Sequence, residues 1–155
     1  MSFQTFLQSL GAAAHVDIRV AEQSGGCTIC FDEHLEVVFE HDVQKDVVRV
    51  FATVFWLDSL RQDARSRLCE LLLQLHLFGL STDGNYFGYD PQLERVILFR
   101  NIPLVVEDIV AVTEVESFVN QLERWQKGLL DYVSNGTTEV IRGANMKVRH
   151  NDIHR

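Results

Sequence analysis

The segment from Ser59 to Phe78 most constrains the fold, because it reads as a helix with no wet face. Ala64, Leu68, Leu71, Leu72 and Leu75 make one stripe at helical spacing, while Cys69, Leu73, Leu77 and Phe78 add apolar surface elsewhere around the barrel. Such a helix needs cover on two sides. A chain of 155 residues has room for one domain with one core. The domain's own sheet can supply one side, and the same helix of a second copy, across a two-fold axis, is the simplest second cover. A homodimer is expected.

The flanking segments set the fold class. Phe3, Phe6, Leu7 and Leu10 fall at helical spacing, with Ser2 as cap and Gly11 as stop, so residues 2–13 read as a short amphipathic helix. Val16, Ile18 and Val20 alternate with polar residues as an extended lead-in, and CTICF alternates again before a DEH turn. Leu35, Val37 and Phe39 alternate with Glu36 and Glu40, giving a strand with one wet face. The run 47–57 sets Val48, Val50, Ala52, Val54 and Trp56 on one face and Val47, Phe51, Phe55 and Leu57 on the other, so both faces want cover. Ser59 with Gln62 predicts a capping box opening the second helix. Tyr86–Tyr89 and Leu93–Phe99 form a hairpin around Asp90-Pro91-Gln92. Thr113 with Glu116 predicts a further capping box, and Val115, Phe118, Val119, Leu122, Trp125 and Leu129 form the stripe of a third helix running to about Tyr132.

The order is α-βββ-α-ββ-α, an α+β fold with an antiparallel, twisted sheet of about five strands and three helices. Residues 1–133 form the domain. Residues 134–155 lose periodicity and carry Arg142, Lys147, Arg149 and Arg155 against Glu139 and Asp152, which reads as a mobile basic tail.

Charge narrows the partners. A formal net charge of −8 repels phosphate backbones and argues against nucleic acid as the ligand of the body, while basic or neutral polypeptides stay open. No Lys or Arg precedes the first apolar stretch, which argues against a secretory signal, and Ser at position 2 excludes myristoylation. No segment approaches the run of about 18 apolar residues that spans a bilayer. Three cysteines make an odd count without a disulfide framework, which fits a reducing compartment. The expected address is the cytosol.

Candidate chemistry is weaker. Cys27 and Cys30 form a CxxC, yet three apart on a strand they point to opposite faces and have no second pair, so they read as core cysteines. Asp32, Glu33, His34, Glu36, Glu40, His41 and Asp42 resemble a metal site or carboxylate pair in composition, but a solvated turn and strand edge explains them without one. His150 and His154 have metal spacing only if their segment is helical. His15 and His76 read as structural histidines, Trp125 as core, and Asn135-Gly136-Thr137 as a turn. The nucleophile elbow, the P-loop and the dinucleotide fingerprint are all missing from the sequence. No catalytic residue, cofactor or metal is assigned.

Several pieces in order resemble one family. They are the amphipathic first helix, CTICFDE, LEVVFEH, LLLQLHLFG, GNYFGYDPQLERVILF, NIPL and FVNQLERWQKG, from Phe6 to Lys127. The chain resembles the class I type III secretion chaperones, the group that includes the Tir chaperone. The resemblance implies a small, acidic, non-catalytic bacterial homodimer of the cytosol, without a cofactor. It also implies binding to the N-terminal region of a secreted effector, held extended and ready for export, with the export machinery as a further partner. By that analogy the helix 59–78 is the dimer helix, with Leu68, Leu72 and Leu75 at its centre. Effector contacts fall on Phe6, Leu10, Ile29, Val37, Phe39 and Phe51. Two other classes compete: a structural or regulatory dimerisation domain of the same fold, and a metal or small-molecule enzyme built on His34 and His41.

Overall fold

The computed structural model describes residues 1–15 and 25–135. The extended lead-in at Val16–Val20, the pair His150 and His154, and the tail from residue 136 onward lie outside them.

Helix α1 spans Phe3–Ala14. The Ser2 side chain accepts the Thr5 N–H at 3.0 Å, satisfying one of the donors a helix start leaves open. Gly11 does not stop the helix. It sits on the buried face, and His15, at φ 56°, takes the left-handed cap position with its N–H on the Gly11 carbonyl.

Strands β1 (Gly26–Phe31), β2 (Leu35–Asp42), β3 (Val47–Trp56), β4 (Tyr86–Asp90) and β5 (Arg95–Pro103) form one antiparallel sheet in the order β1-β2-β3-β5-β4. Helix α2 (Gln62–His76) lies between β3 and β4 in the chain, and helix α3 (Asp108–Asn135) closes it. This is the expected α+β order. One sheet face is dry: Val37, Phe39, Val48, Val50, Leu98 and Ile102 lie under α3, which crosses β2, β3 and β5 with α1 alongside it. All six stripe residues from Val115 to Leu129 are buried there.

A β-bulge changes the expected parity of β3. Pairing with β5 slips between Thr53 and Phe55, and the Gln126 amide donates to the Thr53 carbonyl at 2.9 Å. An extra residue reverses the alternation beyond it. Val54 and Phe55 therefore both pack on the core, Trp56 turns to the opposite face, and Leu57 is buried, which corrects the grouping of Trp56 with Val48–Val54.

Neither capping box forms, and at α2 the reason is tertiary. Helix α2 starts at Gln62 behind Arg61, which makes no side-chain cap. The Leu57 N–H is held by the Glu94 carbonyl at 2.8 Å, and Arg65 reaches both the Leu60 carbonyl (3.0 Å) and the Glu94 carboxylate (2.8 Å). Contacts with the β4–β5 turn thus leave Ser59 outside the helix. Helix α3 starts at Asp108, five residues early, and Thr113 lies inside it with its hydroxyl donating back to the Ile109 carbonyl at 2.8 Å.

Between α2 and β4 the chain makes a closed loop. The Asn85 amide and backbone N–H both donate to the Thr82 carbonyl, at 2.7 and 3.0 Å, and the Thr82 hydroxyl donates to the Asn85 carbonyl at 2.6 Å. Gly84 stands in this loop at φ 76°, and a Cβ there meets an Arg100 guanidinium nitrogen at 3.1 Å. Glu114 holds that guanidinium at 2.8 Å, so it has little freedom to yield. Gly84→Ala is expected to destabilise the protein by about 1–2 kcal/mol, read as a lower denaturant midpoint at unchanged m.

Candidate protein-interaction surfaces

The second sheet face carries an apolar ribbon across the strands. Register places Thr28 opposite Val38, Val38 opposite Phe51, Phe51 opposite Phe99, and Phe99 opposite Tyr86, so one line of side chains runs from edge to edge. Tyr86 stacks on Phe99 with ring centroids 5.4 Å apart. Ile97 lies beside the line, over Gly88, where a Cβ would stand 3.1 Å from Ile97 Cγ1. Val38, Phe51, Ile97 and Phe99 are half-buried by one another, and none belongs to the core cluster. Their exposed halves are apolar surface facing solvent.

Ion pairs flank the ribbon. On one side Arg49 meets Asp42 at 3.0 Å and Glu40 at 3.8 Å. On the other, Arg95 binds Asp90 at 3.0 Å and the Thr53 hydroxyl at 2.9 Å while lying over the Trp56 ring at 5.8 Å. The bond from Arg95, with the Leu93 and Gln92 N–H groups, holds the Asp90 carboxyl below the usual carboxylate range. Next to Trp56 the face dips into a cleft of about 320 Å³ lined by Cys30, Glu33, Glu36, Val38, Phe51 and Arg95, among others. Cys30 is exposed there, whereas Cys27 points to the core side and burial pushes its thiol pKa up. The two cysteines face opposite ways, as their spacing predicts, so the core reading holds for Cys27 and is corrected for Cys30. N-ethylmaleimide is therefore expected to modify Cys30 well before Cys27, as followed by peptide mass spectrometry.

A second apolar surface lies on α2. Leu68, Leu71, Leu72 and Leu75 are buried in the protomer, and His76 packs edge-on against Phe87, which packs edge-on against Trp125 of α3. The opposite side and the following 3₁₀ turn (Leu77–Gly79) show Leu73 at 73% exposure, Leu77 at 61% and Phe78 at 86%. Phe78 has φ 58°, a conformation that costs a residue with a Cβ about 1–2 kcal/mol. Leu80 and Tyr86 extend the patch.

These surfaces sit in a chain whose residues 5–126 match the model of the Tir chaperone protein (CesT) family, well over half its length. The chain belongs to that family. It is therefore a type III secretion chaperone and not an enzyme. Solved structures of similar fold include the HopA1-SchA chaperone–effector complex, at 15% identity and TM-score 0.63, covering 81% of this chain and 93% of the other. They also include the ExsC–ExsE complex, at 17% identity and TM-score 0.61, covering 82% and 96%. A third is the heterodimeric ExoU–SpcU complex of the Pseudomonas aeruginosa type III secretion system, at 15% identity and TM-score 0.57, covering 79% and 92%. No curated protein matches by sequence.

Within this chaperone, most residues predicted for the two contacts land inside the protomer. Phe6, Leu10, Ile29, Val37 and Phe39 are buried between the sheet and α1 and α3, so the face assigned to them is corrected. The helices cover the Leu35–Phe39 parity of β2 and leave Val38 out. Phe51 alone of the six stands on the second face, where its neighbours Val38, Ile97, Phe99 and Trp56 had gone unassigned. Apolar residues on both parities of VILF, and Phe51 on the Arg49 parity of VRVF, carried that signal, but such a pattern does not say which parity a helix covers. Leu68, Leu72 and Leu75 likewise seat α2 on its own protomer, and the surplus residues Leu73, Leu77 and Phe78 are the ones left facing outward. Among the described residues no three His, Cys, Asp or Glu side chains converge as a metal site, and no helix is long and apolar enough to cross a membrane.

Proposed function

We propose that this chaperone works as a cytosolic homodimer that holds the N-terminal segment of an effector protein in extended form and keeps it competent for export. The ribbon Val38–Phe51–Phe99–Tyr86 carries the reading. It offers apolar contacts in a line across the sheet, flanked by charged groups, which suits a chain without its own core. Phe51, Ile97, Phe99 and Trp56 supply its client anchors. Leu73, Leu77 and Phe78 supply the contact with the second copy. A chaperone–effector complex among the structures of similar fold supports a bound effector here.

The test is an affinity pull-down of the tagged chain from cytosol in which the secretion system is expressed, followed by limited proteolysis and mass spectrometry. Recovery of a larger secreted protein with a protected segment near its N-terminus, lost with Phe51→Ser, is the expected result. Recovery of the chain alone overturns the reading and favours a dimerisation domain of the same fold.

A further inference from the structure

The charges around the ribbon are unbalanced. Asp90 and Arg95 neutralise one another, and Arg49 is shared by Glu40 and Asp42. Glu33 and Glu36, both exposed at the cleft, have no cationic partner among the described residues. Both guanidiniums of this face are thus already engaged, and two carboxylates stand free beside the apolar side chains of Val38, Phe51 and Trp56. The local field repeats on a small scale the chain's overall charge of −8.

Resting on the client-binding reading above, we propose that the cleft selects a basic amphipathic segment: an extended peptide that sets an Arg or Lys against Glu33 and Glu36 and its neighbouring apolar side chains against Phe51, Val38 and Trp56. In an extended chain successive side chains alternate sides, and those two residues apart share one. A segment alternating apolar and basic residues therefore lays apolar groups on the ribbon and leaves basic groups to reach the rim carboxylates. An acidic segment is repelled twice, by the free carboxylates at the rim and by the field of the body. The apolar floor supplies affinity and the two glutamates supply discrimination.

The experiment uses the full chain and two fluorescein-labelled nonapeptides, one alternating leucine with arginine and one alternating leucine with glutamate. At low salt the Leu/Arg peptide is expected to bind at least about tenfold more tightly. At saturation it slows N-ethylmaleimide modification of Cys30, which lines the cleft, by about fivefold or more, and leaves Cys69 on α2 unchanged. Glu33→Gln with Glu36→Gln is expected to cut the preference to about threefold or less. A control pair on α3 and its approach, Glu107→Gln with Glu123→Gln, removes the same charge elsewhere and keeps the preference, which separates local contact from the general field. Phe51→Ser weakens both peptides.

Equal affinity for the two peptides with Cys30 protected overturns the charge inference and leaves the cleft as a client site. A preference that survives the Glu33/Glu36 variant overturns it as well, as does binding without protection of Cys30. Failure of both peptides to bind overturns the client-binding reading of this face itself.

Discussion

Phe78→Asp is expected to halve the solution mass of the protein, from two protomers to one, in light scattering at micromolar concentration, with the far-ultraviolet spectrum unchanged. Phe78 is the most exposed large apolar side chain described, so the single protomer does not need it for its core. Covering one such ring is worth about 1.5–3 kcal/mol, and a two-fold interface covers it twice. Losing about 3–6 kcal/mol raises the dimer Kd by roughly two to four orders of magnitude, before the cost of setting two carboxylates in an apolar contact is added. Phe78→Gly separates the two roles of the residue. Glycine tolerates the φ of 58° found here, so the protomer gains about 1 kcal/mol in denaturation while the dimer still weakens. Leu72→Asp, six residues earlier on α2, behaves differently. Leu72 is 5% exposed and packs inside the protomer, so this change is expected to unfold the chain instead of splitting a dimer. A Phe78→Asp protein that keeps the wild-type mass removes the 3₁₀ turn from the interface.

The second large effect contrasts two phenylalanines on neighbouring strands. Phe39 is fully buried, with the rings of Phe6 and Phe31 at 6.0 and 6.5 Å. Truncating such a ring to alanine costs about 3–5 kcal/mol, and an aspartate there adds the penalty of a buried charge. Against a typical total of about 5–15 kcal/mol, Phe39→Asp is expected to leave little folded protein at 25 °C. Phe51→Asp, on the other face, is expected to keep a cooperative melt within a few degrees of the parent and to lower client capture by about tenfold or more. Circular dichroism and pull-down yield, measured together, decide it. If Phe39→Asp folds and loses the client while Phe51→Asp unfolds, the two faces have been exchanged.

The sequence made the element order legible because long-period patterns survive tertiary context. The stripe from Val115 to Leu129 is buried along its whole length, and Glu36 and Glu40 are wet as their alternation with Leu35, Val37 and Phe39 requires. Helix starts were less legible. A local Ser or Thr three residues before Gln or Glu describes a possible cap, but Arg65 and Glu94, 29 residues apart, help decide where α2 begins. Candidate-site residues were least legible, and for one physical reason. Hydrophobicity marks a position as wanting cover, and the chain supplies it in full for Phe39 but leaves Phe51 half-exposed. Nothing in either residue's own neighbourhood distinguishes the two. The α2 surplus was partly readable: of Cys69, Leu73, Leu77 and Phe78, which do not fit the stripe, the structure leaves the last three outside and half-buries Cys69.

The packing of α1 on α3 has a consequence for synthesis. The Ser9 hydroxyl reaches the Asp108 carboxylate at 2.8 Å, across 99 residues of chain. At roughly 5–20 residues per second, α1 leaves the ribosome on the order of ten seconds before the helix it rests on has been made. Through that interval Phe3, Phe6, Leu7 and Leu10 lack the α3 side of their seat. This chaperone thus begins life with an apolar helix whose cover is the last part of the domain to be made.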